Sequence, residues 1–372
     1  MAISNGVKPK IIVFDKFLGY KVGGAQWSLE TLLKNLSANF KFIGCEVEKG
    51  FSAKRLKEEN FFVERIKIKE CPKFPYFEYF LNRKKIAKFI SEQKGDYLFT
   101  QSFWAPLAIN NFEGKTVYFV RDEYNLNRVP NYYSGLKFWL KKLYILSQYP
   151  FIRQLFFDNQ KAIEKADLII ANSHFIKNFI KKKFDRESEV VYPVIDVLNL
   201  QKVDLPPLEQ RPFLTLIGSD VLKGRIVAEK IAERMKKYKF MIVGREFKKP
   251  FQKENIFYQP WSKERLDIYK KTKILLVPSL CYDAFPRIPV EGAALGIPSI
   301  GSKRGGIPEF LPQEFLIENV WDIAKWIEKI LALEKNYLDY SEILKKRATK
   351  FDASFQIEKF KKIAKEKLNL DL

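Results

Sequence analysis

Short β-branched runs alternate along this chain with segments whose apolar residues recur three and four positions apart. Lys10 opens Ile11-Ile12-Val13-Phe14, a run suited to a strand buried on both faces. Gly19-Tyr20-Lys21-Val22-Gly23-Gly24 follows, and then residues 25–39 carry Leu29, Leu32, Leu33 and Leu36 at helical spacing. The pattern predicts strands over 41–46, 61–68, 96–100 and 115–120, and a helix over 84–92. Residues 166–173 read as an apolar strand ending on Asn172-Ser173, where Ser173 can cap a helix over 174–183. A run at 190–192 closes the first half.

Residues 199–212 hold Pro206, Pro207 and Pro212 without a period and are expected to be a linker. Beyond them the alternation restarts: strands at 213–217, 239–243, 274–277 and 298–300, helices at 226–237, 264–271 and 288–295. The chain therefore divides into an α/β domain over 1–198, the linker, and a second α/β domain over 213–354. Two segments depart from the alternation. Residues 124–159 are aromatic and basic, with Arg128, Tyr132, Tyr133, Lys137, Trp139, Lys141 and Lys142, and residues 355–368 form a lysine-rich amphipathic helix within a 355–372 tail.

Composition narrows the class. The 372 residues are 47% hydrophobic, too apolar for a disordered chain and long enough for two cores. No run reaches the length of a membrane-spanning helix. The first ten residues lack the layout of a secretion signal, so a cytoplasmic protein is expected. Cys45, Cys71 and Cys281 are far apart and odd in number, which argues against a disulfide scaffold or zinc cluster, and the single histidine, His174, excludes paired-histidine chemistry. His174 itself reads as a helix-surface residue. The formal charge of +22 favours phosphate-bearing partners and acidic lipid, although a lysine-rich solvated surface also produces it.

Three loops carry candidate chemistry. Gly23-Gly24, between first strand and first helix, would let a ligand approach the backbone and the helix N-terminus, or would simply turn the chain. Gly218-Ser219-Asp220-Val221-Leu222-Lys223-Gly224 puts a lysine where it can neutralise a diphosphate. In 277–309, VPSLCYDAFPRIPVEGAALGIPSIGSKRGGIPE, Asp283 and Glu291 lie eight positions apart; with a helix beginning near Arg287, both would face one ligand at its N-terminus, with backbone donors of the loop from Ala284 to Arg287 addressing hydroxyls or phosphate. Proline supplies no N–H, so Pro286 is placed there only as a lining residue.

That stretch resembles the donor-binding domain of retaining glycosyltransferases of family 4, which have the two-domain GT-B fold and a Glu, seven residues, Glu signature. Pro278-Ser279, Asp283, Phe285, Glu291, Gly296-Ile297-Pro298 and Gly305-Gly306-Ile307-Pro308-Glu309 match in order. Gly23-Gly24-Ala25-Gln26 is similar to the family's Gly-Gly-Ala-Glu loop, Ala166-Asp167 to Ser173 to its Ala-Asp…Ser unit, and Lys223-Gly224 to its phosphate loop.

The resemblance implies two Rossmann-like domains facing across a cleft, with the C-terminal helix returning to the first. It implies that Glu291 holds the nucleotide ribose, that Asp283 and the amides near Phe285 hold the donor sugar, and that Lys223 neutralises the diphosphate. Gly23 and Gly24 would close over phosphates and acceptor, with Gly218, Ser219, Gly244 and Glu309 around the donor. The chain departs from the family at Asp283, one methylene shorter than Glu, and at Ser219, where many members have arginine; Arg245 or Arg287 is the expected substitute cation. Val120-Arg121-Asp122 replaces a His-Asp pair, leaving Arg121 to bind charge and Asp122 to orient the acceptor.

The implied reaction is metal-free and cofactor-free hexosyl transfer with retention, from a nucleotide-diphosphate sugar to a saccharide or lipid-linked acceptor, the donor phosphate taking the acceptor proton. Arg121, Lys137, Trp139, Lys141 and Lys142 are expected at the acceptor or at an anionic membrane surface on the inner face of the cell membrane, unless the rings of 124–159 fill a helical hairpin. Nucleic acid is not expected as a partner, for no nucleic-acid motif accompanies the charge. A noncatalytic sugar-nucleotide or glycan-binding protein, a sugar-nucleotide epimerase and a phosphorylase are the alternatives on this architecture.

Overall fold

A computed structural model of the chain describes residues 8–20, 23–48, 62–122, 135–262 and 265–372, with backbone alone for 135–138 and 141. These fall into two compact units, 1–194 with 356–372, and 195–355.

The first unit begins with β1 (Lys10–Phe14), α1 (Gly24–Lys34), β2 (Asn39–Glu46) and β3 (Val63–Lys67), followed by α2 (Pro75–Ser91), β4 (Tyr97–Gln101), α3 (Ala105–Asn111) and β5 (Lys115–Val120). It continues with α4 (Gly135–Ser147), α5 (Tyr149–Lys165), β6 (Leu168–Ala171), α6 (His174–Phe184) and β7 (Glu189–Val190). The sheet order is β3-β2-β1-β4-β5-β6-β7, parallel throughout. Ile11, Ile12, Val13 and Phe14 of β1 are all buried, as expected of an inner strand covered by helices on both faces.

Ser173 Oγ accepts from the Ile176 N–H at 3.1 Å and caps α6, with His174 exposed just after it. Helix α2 starts nine residues before the expected 84–92, with Pro75 in its first turn. Its buried stripe contains Glu78 and Asn82, polar residues that interrupt the apolar period; Glu78 is bound by Lys16 and by the Cys71 N–H at 2.7 Å. The aromatic-basic stretch supplies α4 and α5, while 123–134, including Arg128, Tyr132 and Tyr133, lie outside the described residues. Helix α5 does pack a core, and the Tyr79 hydroxyl donates to its buried Asp158 at 2.9 Å.

The second unit holds α7 (Val197–Leu200), β8 (Phe213–Ile217), α8 (Arg225–Arg234), β9 (Lys239–Gly244), β10 (Phe251–Lys253), β11 (Ile256–Pro260), α9 (Leu266–Tyr269) and β12 (Thr272–Val277). Then come α10 (Arg287–Ala294), β13 (Ser299–Ser302), α11 (Ile307–Phe310), β14 (Leu316–Ile317), α12 (Ile323–Lys335) and α13 (Tyr337–Thr349). Its sheet runs β10-β11-β9-β8-β12-β13-β14, with only β10 antiparallel. Leaving out β10, the parallel strands stand in the order third, second, first, fourth, fifth, sixth, the doubly wound arrangement that the first sheet also has.

The expected linker is part of this unit. Leu200, Val203 and Leu205 pack against the cluster containing Met241, Val243 and Leu275. Prolines there stop regular structure without freeing the chain.

Helix α14 (Ala353–Leu368) carries the chain from the second unit into the first, to which Gln356 and all later residues belong. Phe360 meets the rings of Phe99 and Phe119 at 5.8 and 5.5 Å, and Tyr97 and Lys115 both donate to the Leu368 carbonyl at 3.2 Å. The lysine-rich character of this helix belongs to its outer face; Ile357, Phe360, Ile363, Ala364 and Leu368 are buried.

Candidate functional site

Three loops of the second unit leave the C-terminal ends of neighbouring strands and are sewn together by main-chain bonds. The loop after β8 folds into a short 3-10 turn, Val221–Lys223, started by Asp220, whose carboxylate accepts from the Leu222 N–H at 2.8 Å. The Leu222 carbonyl accepts from Leu280 and Cys281 at 2.8 and 3.2 Å, tying this turn to the loop after β12. Gly224 makes the approach possible. It has φ +84°, and a Cβ there would stand 1.8 Å from the Pro278 carbonyl oxygen.

The loop after β13 supports Asp283 from the other side. Gly306 donates to the Asp283 carbonyl at 2.6 Å, and Arg304 donates to the Leu280 carbonyl at 2.7 Å. A Cβ on Gly305 or Gly306 would fall 2.2 Å from the Asp283 oxygen or 2.0 Å from that of Ala284. The second glycine pair therefore lets one loop lie against the backbone of another.

Lys223 and Asp283 meet inside this knot. Lys223 Nζ is 2.5 Å from Asp283 Oδ1, and Ser279 Oγ donates to Oδ2 at 2.8 Å. Desolvation works against the ammonium, but the adjacent carboxylate outweighs it and holds Lys223 above the ordinary lysine range. Gly218, at φ +117°, faces the Lys223 stem, where a Cβ would come within 3.3 Å.

Glu291 lies in a different network. It sits inside α10, only 4% exposed. Arg265 Nη1 donates to both carboxylate oxygens at 3.0 Å, the Tyr269 hydroxyl donates at 2.9 Å, and Arg287 Nη2 is 3.3 Å away, one turn earlier on the same helix. The carboxylates of Asp283 and Glu291 therefore have separate partners within the protein. The reason is the position of Glu291 on the inner side of α10, where a carboxylate requires compensating donors. Burial lowers the Arg287 pKa, with Glu291 opposing it, and raises that of Tyr269 well above the ordinary phenol.

The remaining expected donor residues surround these two networks. Ser219 is buried and donates to Glu246, and Gly244 leaves it room, since a Cβ there would be 1.8 Å from Ser219 Oγ. Arg245 stands 5.3 Å from the centre of the Trp261 ring. Phe285 is buried against Phe351 at 5.4 Å and anchors the loop, so its ring does not line the surface. Ala284 is also buried, Pro286 is the N-cap of α10, and Glu309 stands half-buried on α11 with Arg347 donating to its carbonyl at 3.1 Å.

In the first unit Gly23 is the N-cap of α1 and Gly24 its first residue. A Cβ on Gly23 would meet only ordinary contact, 3.4 Å from Gln26, so nothing local demands glycine there. Arg121 and Asp122 follow β5, and Arg121 Nε donates to Gln101 Oε1 at 3.1 Å. Helix α4 exposes Trp139, Leu140, Leu143 and Leu146, with Lys142 5.0 Å from the Trp139 ring; the side chains of Lys137 and Lys141 lie outside the described ones. No helix among the described residues is long and apolar enough to cross a membrane.

Sequence reasoning did not single out Arg265, Tyr269, Glu246 or Ser279 as partners of the site. Ser279 alone had a signal, in the Pro-Ser that ends β12. The others are joined to it by tertiary approach across 22 to 27 positions, as in the Tyr269–Glu291, Arg265–Glu291 and Ser219–Glu246 bonds.

Residues 220–336 match the family model described as glycosyl transferases group 1, a span that contains Lys223, Asp283, Glu291 and Glu309. Solved structures match over nearly the full chain. A glycosyltransferase from Rickettsia africae is 18% identical, with a TM-score of 0.65, covering 97% of this chain and 99% of its own. Anabaena Alr3699/HepE in complex with UDP-glucose is 15% identical, with a TM-score of 0.69, covering 96% and 100%. Sucrose-phosphate synthase from Thermosynechococcus elongatus is 12% identical, with a TM-score of 0.66, covering 97% and 100%. No curated protein matches the sequence. At these identities the structural likeness establishes the fold, GT-B, with its two α/β units; the group 1 match lies in the second of them.

Proposed function

We propose that this chain is a glycosyltransferase that moves a hexose from a nucleotide-diphosphate sugar to a saccharide or lipid-linked acceptor with retention of configuration. The observation that carries the reading is the knot of Lys223, Ser279 and Asp283 at the C-terminal ends of β8 and β12, inside the span matched by the group 1 family. Strand C-terminal ends are where doubly wound sheets take ligands. UDP-glucose bound to Alr3699/HepE favours a UDP-sugar among donors.

In this reading Lys223 leaves Asp283 for the donor diphosphate and stabilises it as the bond to the anomeric carbon breaks. Asp283 is then released to a sugar hydroxyl, with Ser279 keeping its orientation. The acceptor oxygen forms its bond on the face the diphosphate leaves, and its proton passes to the departing phosphate oxygen. Glu291 takes the ribose hydroxyls when Arg265 yields one of its two bonds. Ser219 and Gly244 shape the diphosphate pocket, Arg245 or Arg287 adds positive charge, and Glu309 supports the donor. Gly23 and Gly24 approach phosphate or acceptor, and Asp122 orients the acceptor. No metal or organic cofactor takes part.

The first unit takes the acceptor. The exposed Trp139, Leu140, Leu143 and Leu146 with Lys142 suit shallow insertion at an anionic membrane on the cytoplasmic side, consistent with a lipid-linked acceptor.

A noncatalytic nucleotide-sugar-binding protein is the second reading, favoured by the Lys223–Asp283 pair, which occupies the cation that turnover needs. A donor panel followed by nucleoside diphosphate release, with and without membrane extract, separates the two. Release above the spontaneous rate supports transfer, and donor binding without release supports the second reading.

A further inference from the structure

Three residues outside the donor-binding unit converge at the ends of adjacent strands. Phe14 of β1 pairs with Thr100 of β4, and Gln101 of β4 pairs with Phe119 of β5. That register puts Asp15 beside Gln101 and Arg121 just past them, at the C-terminal edge of the first sheet. Asp15 and Gln101 are fully buried. Asp15 Oδ1 accepts from the Phe17 N–H at 2.8 Å, Gln101 Oε1 accepts from Arg121 Nε at 3.1 Å, and the Arg121 carbonyl accepts from the Asn172 amide at 2.8 Å. Asp15 Oδ2 and Gln101 Nε2 are both buried and neither makes a well-formed hydrogen bond. Ser102, the next residue, is at φ +72°, a left-handed conformation that costs a non-glycine residue energy.

A core polar pair that served packing alone would be better replaced by apolar residues, because a buried carboxylate short of donors is costly. Here that cost, the strained serine and the arginine coincide at the edge of the sheet where ligands bind. We infer that Arg121 receives an anionic group, phosphate or carboxylate, on the substrate of the first unit, and that Asp15, acting through Gln101, sets the strength of that site. This rests on the reading that the first unit takes the acceptor, and it adds that the acceptor is negatively charged.

The charge on Asp15 governs the strength of the site. Burial raises its pKa to about 6, against the opposing pull of the Phe17 N–H, the Gln101 and Ser102 side chains and, least of these, the Arg121 charge. The other ionisable groups around it are Lys16, next in the chain and engaged by Glu78, and Cys45 on β2, whose thiol burial pushes up to about 12 and so keeps neutral. Asp122 adjoins Arg121. Below the Asp15 pKa the carboxyl is neutral and no longer offsets the guanidinium field; above it, the carboxylate orients Gln101 and Arg121 while offsetting part of that field.

The test uses the full chain with saturating UDP, so that the donor site is filled, and calorimetry with four probes. Heat on UDP addition itself checks the donor reading separately; were it absent, the anion titrations would be run on Lys223→Ala. Glucose 6-phosphate and glucuronate distinguish phosphate from carboxylate, glucose is the neutral control, and inorganic sulfate, fixed in charge, reads the pH profile. The expected result is binding of at least one charged sugar above glucose, lost in Arg121→Gln and partly restored in Arg121→Lys. Sulfate affinity should rise about fivefold between about pH 8 and pH 5 in the wild type and be high and flat in Asp15→Asn. Equal binding by Arg121→Gln and wild type, or neither charged sugar binding above glucose, would overturn the site. An unchanged pH profile in Asp15→Asn would overturn the role of Asp15.

Discussion

Lys223 Nζ and Asp283 Oδ1 stand 2.5 Å apart although 60 positions separate them in the chain. Each lies on a loop held by main-chain bonds to the other, through the Leu222 carbonyl and the glycines beside Pro278 and Asp283. The lysine that would carry a diphosphate is therefore stored on the acid that would carry a sugar. In the proposed reading, opening the pair is a cost that donor binding would have to meet.

The close approach of these loops is testable through Gly224 and Gly306. Gly224→Ala adds a Cβ into the Pro278 carbonyl at positive φ, and the expected loss is about 3 kcal/mol of unfolding free energy in urea titration. Gly306→Ala should cost a similar amount. Gly23→Ala, where the Cβ meets only 3.4 Å contact, should leave stability within about 0.5–1 kcal/mol. A large loss at Gly23 would contradict the packing described.

Glu291 should respond as a buried acid with several donors. Arg265→Ala removes two of them and is expected to cost about 2 kcal/mol, less than for an isolated pair because Tyr269 and Arg287 remain. Adding Glu291→Gln should recover part of that loss, and a double-mutant cycle measures the coupling. Additive losses would show that the two side chains do not interact.

Much of the architecture could be read from the chain, and the reasons are local. Ile11 to Phe14, 213–217 and 274–277 are apolar runs bounded by turns, and Ser173 is a cap before an amphipathic period. The first nine residues of α2 were missed because Glu78 and Asn82 break its stripe with polar residues, which Lys16 and the 69–71 backbone help to satisfy. The loops around Lys223 and Asp283 were singled out by a lysine just after a strand and by the Pro-Ser, acid and glycine-pair pattern of 278–309. Arg265 and Tyr269 were not, since their partnership with Glu291 depends on how α9 and α10 pack. The packing of Leu200, Val203 and Leu205 was not legible, since prolines at 206, 207 and 212 mark an irregular segment whether or not it packs.

Asp15 makes a pH-dependent contribution with a definite sign. Its carboxyl is held near 6 in the folded state against the model-compound value of 3.8, so the folded protein binds more protons than the unfolded chain between those values. Its contribution to stability falls as pH rises through that window and is flat above it, a cost of about 3 kcal/mol at neutral pH. Chemical denaturation of Asp15→Asn across about pH 4 to 8 should show that part of the slope removed. A slope identical to wild type would contradict the burial of this charge.

The face of α4 predicts lipid contact. Liposome flotation with anionic vesicles should recover the wild type, and recovery should fall when the charges at Lys137, Lys141 and Lys142 are removed or when Trp139 and Leu143 become serine. Salt should weaken the electrostatic part. Equal, salt-insensitive recovery of all variants would reject it.

The central claim is most directly tested by nucleoside diphosphate release from a UDP- and GDP-sugar panel, with acceptor extract, by wild type, Lys223→Ala and Glu291→Ala. The account predicts release by the wild type from at least one donor, and a loss of about a hundredfold or more in Lys223→Ala. Turnover that survives in both variants, or no donor bound by the wild type, would contradict it.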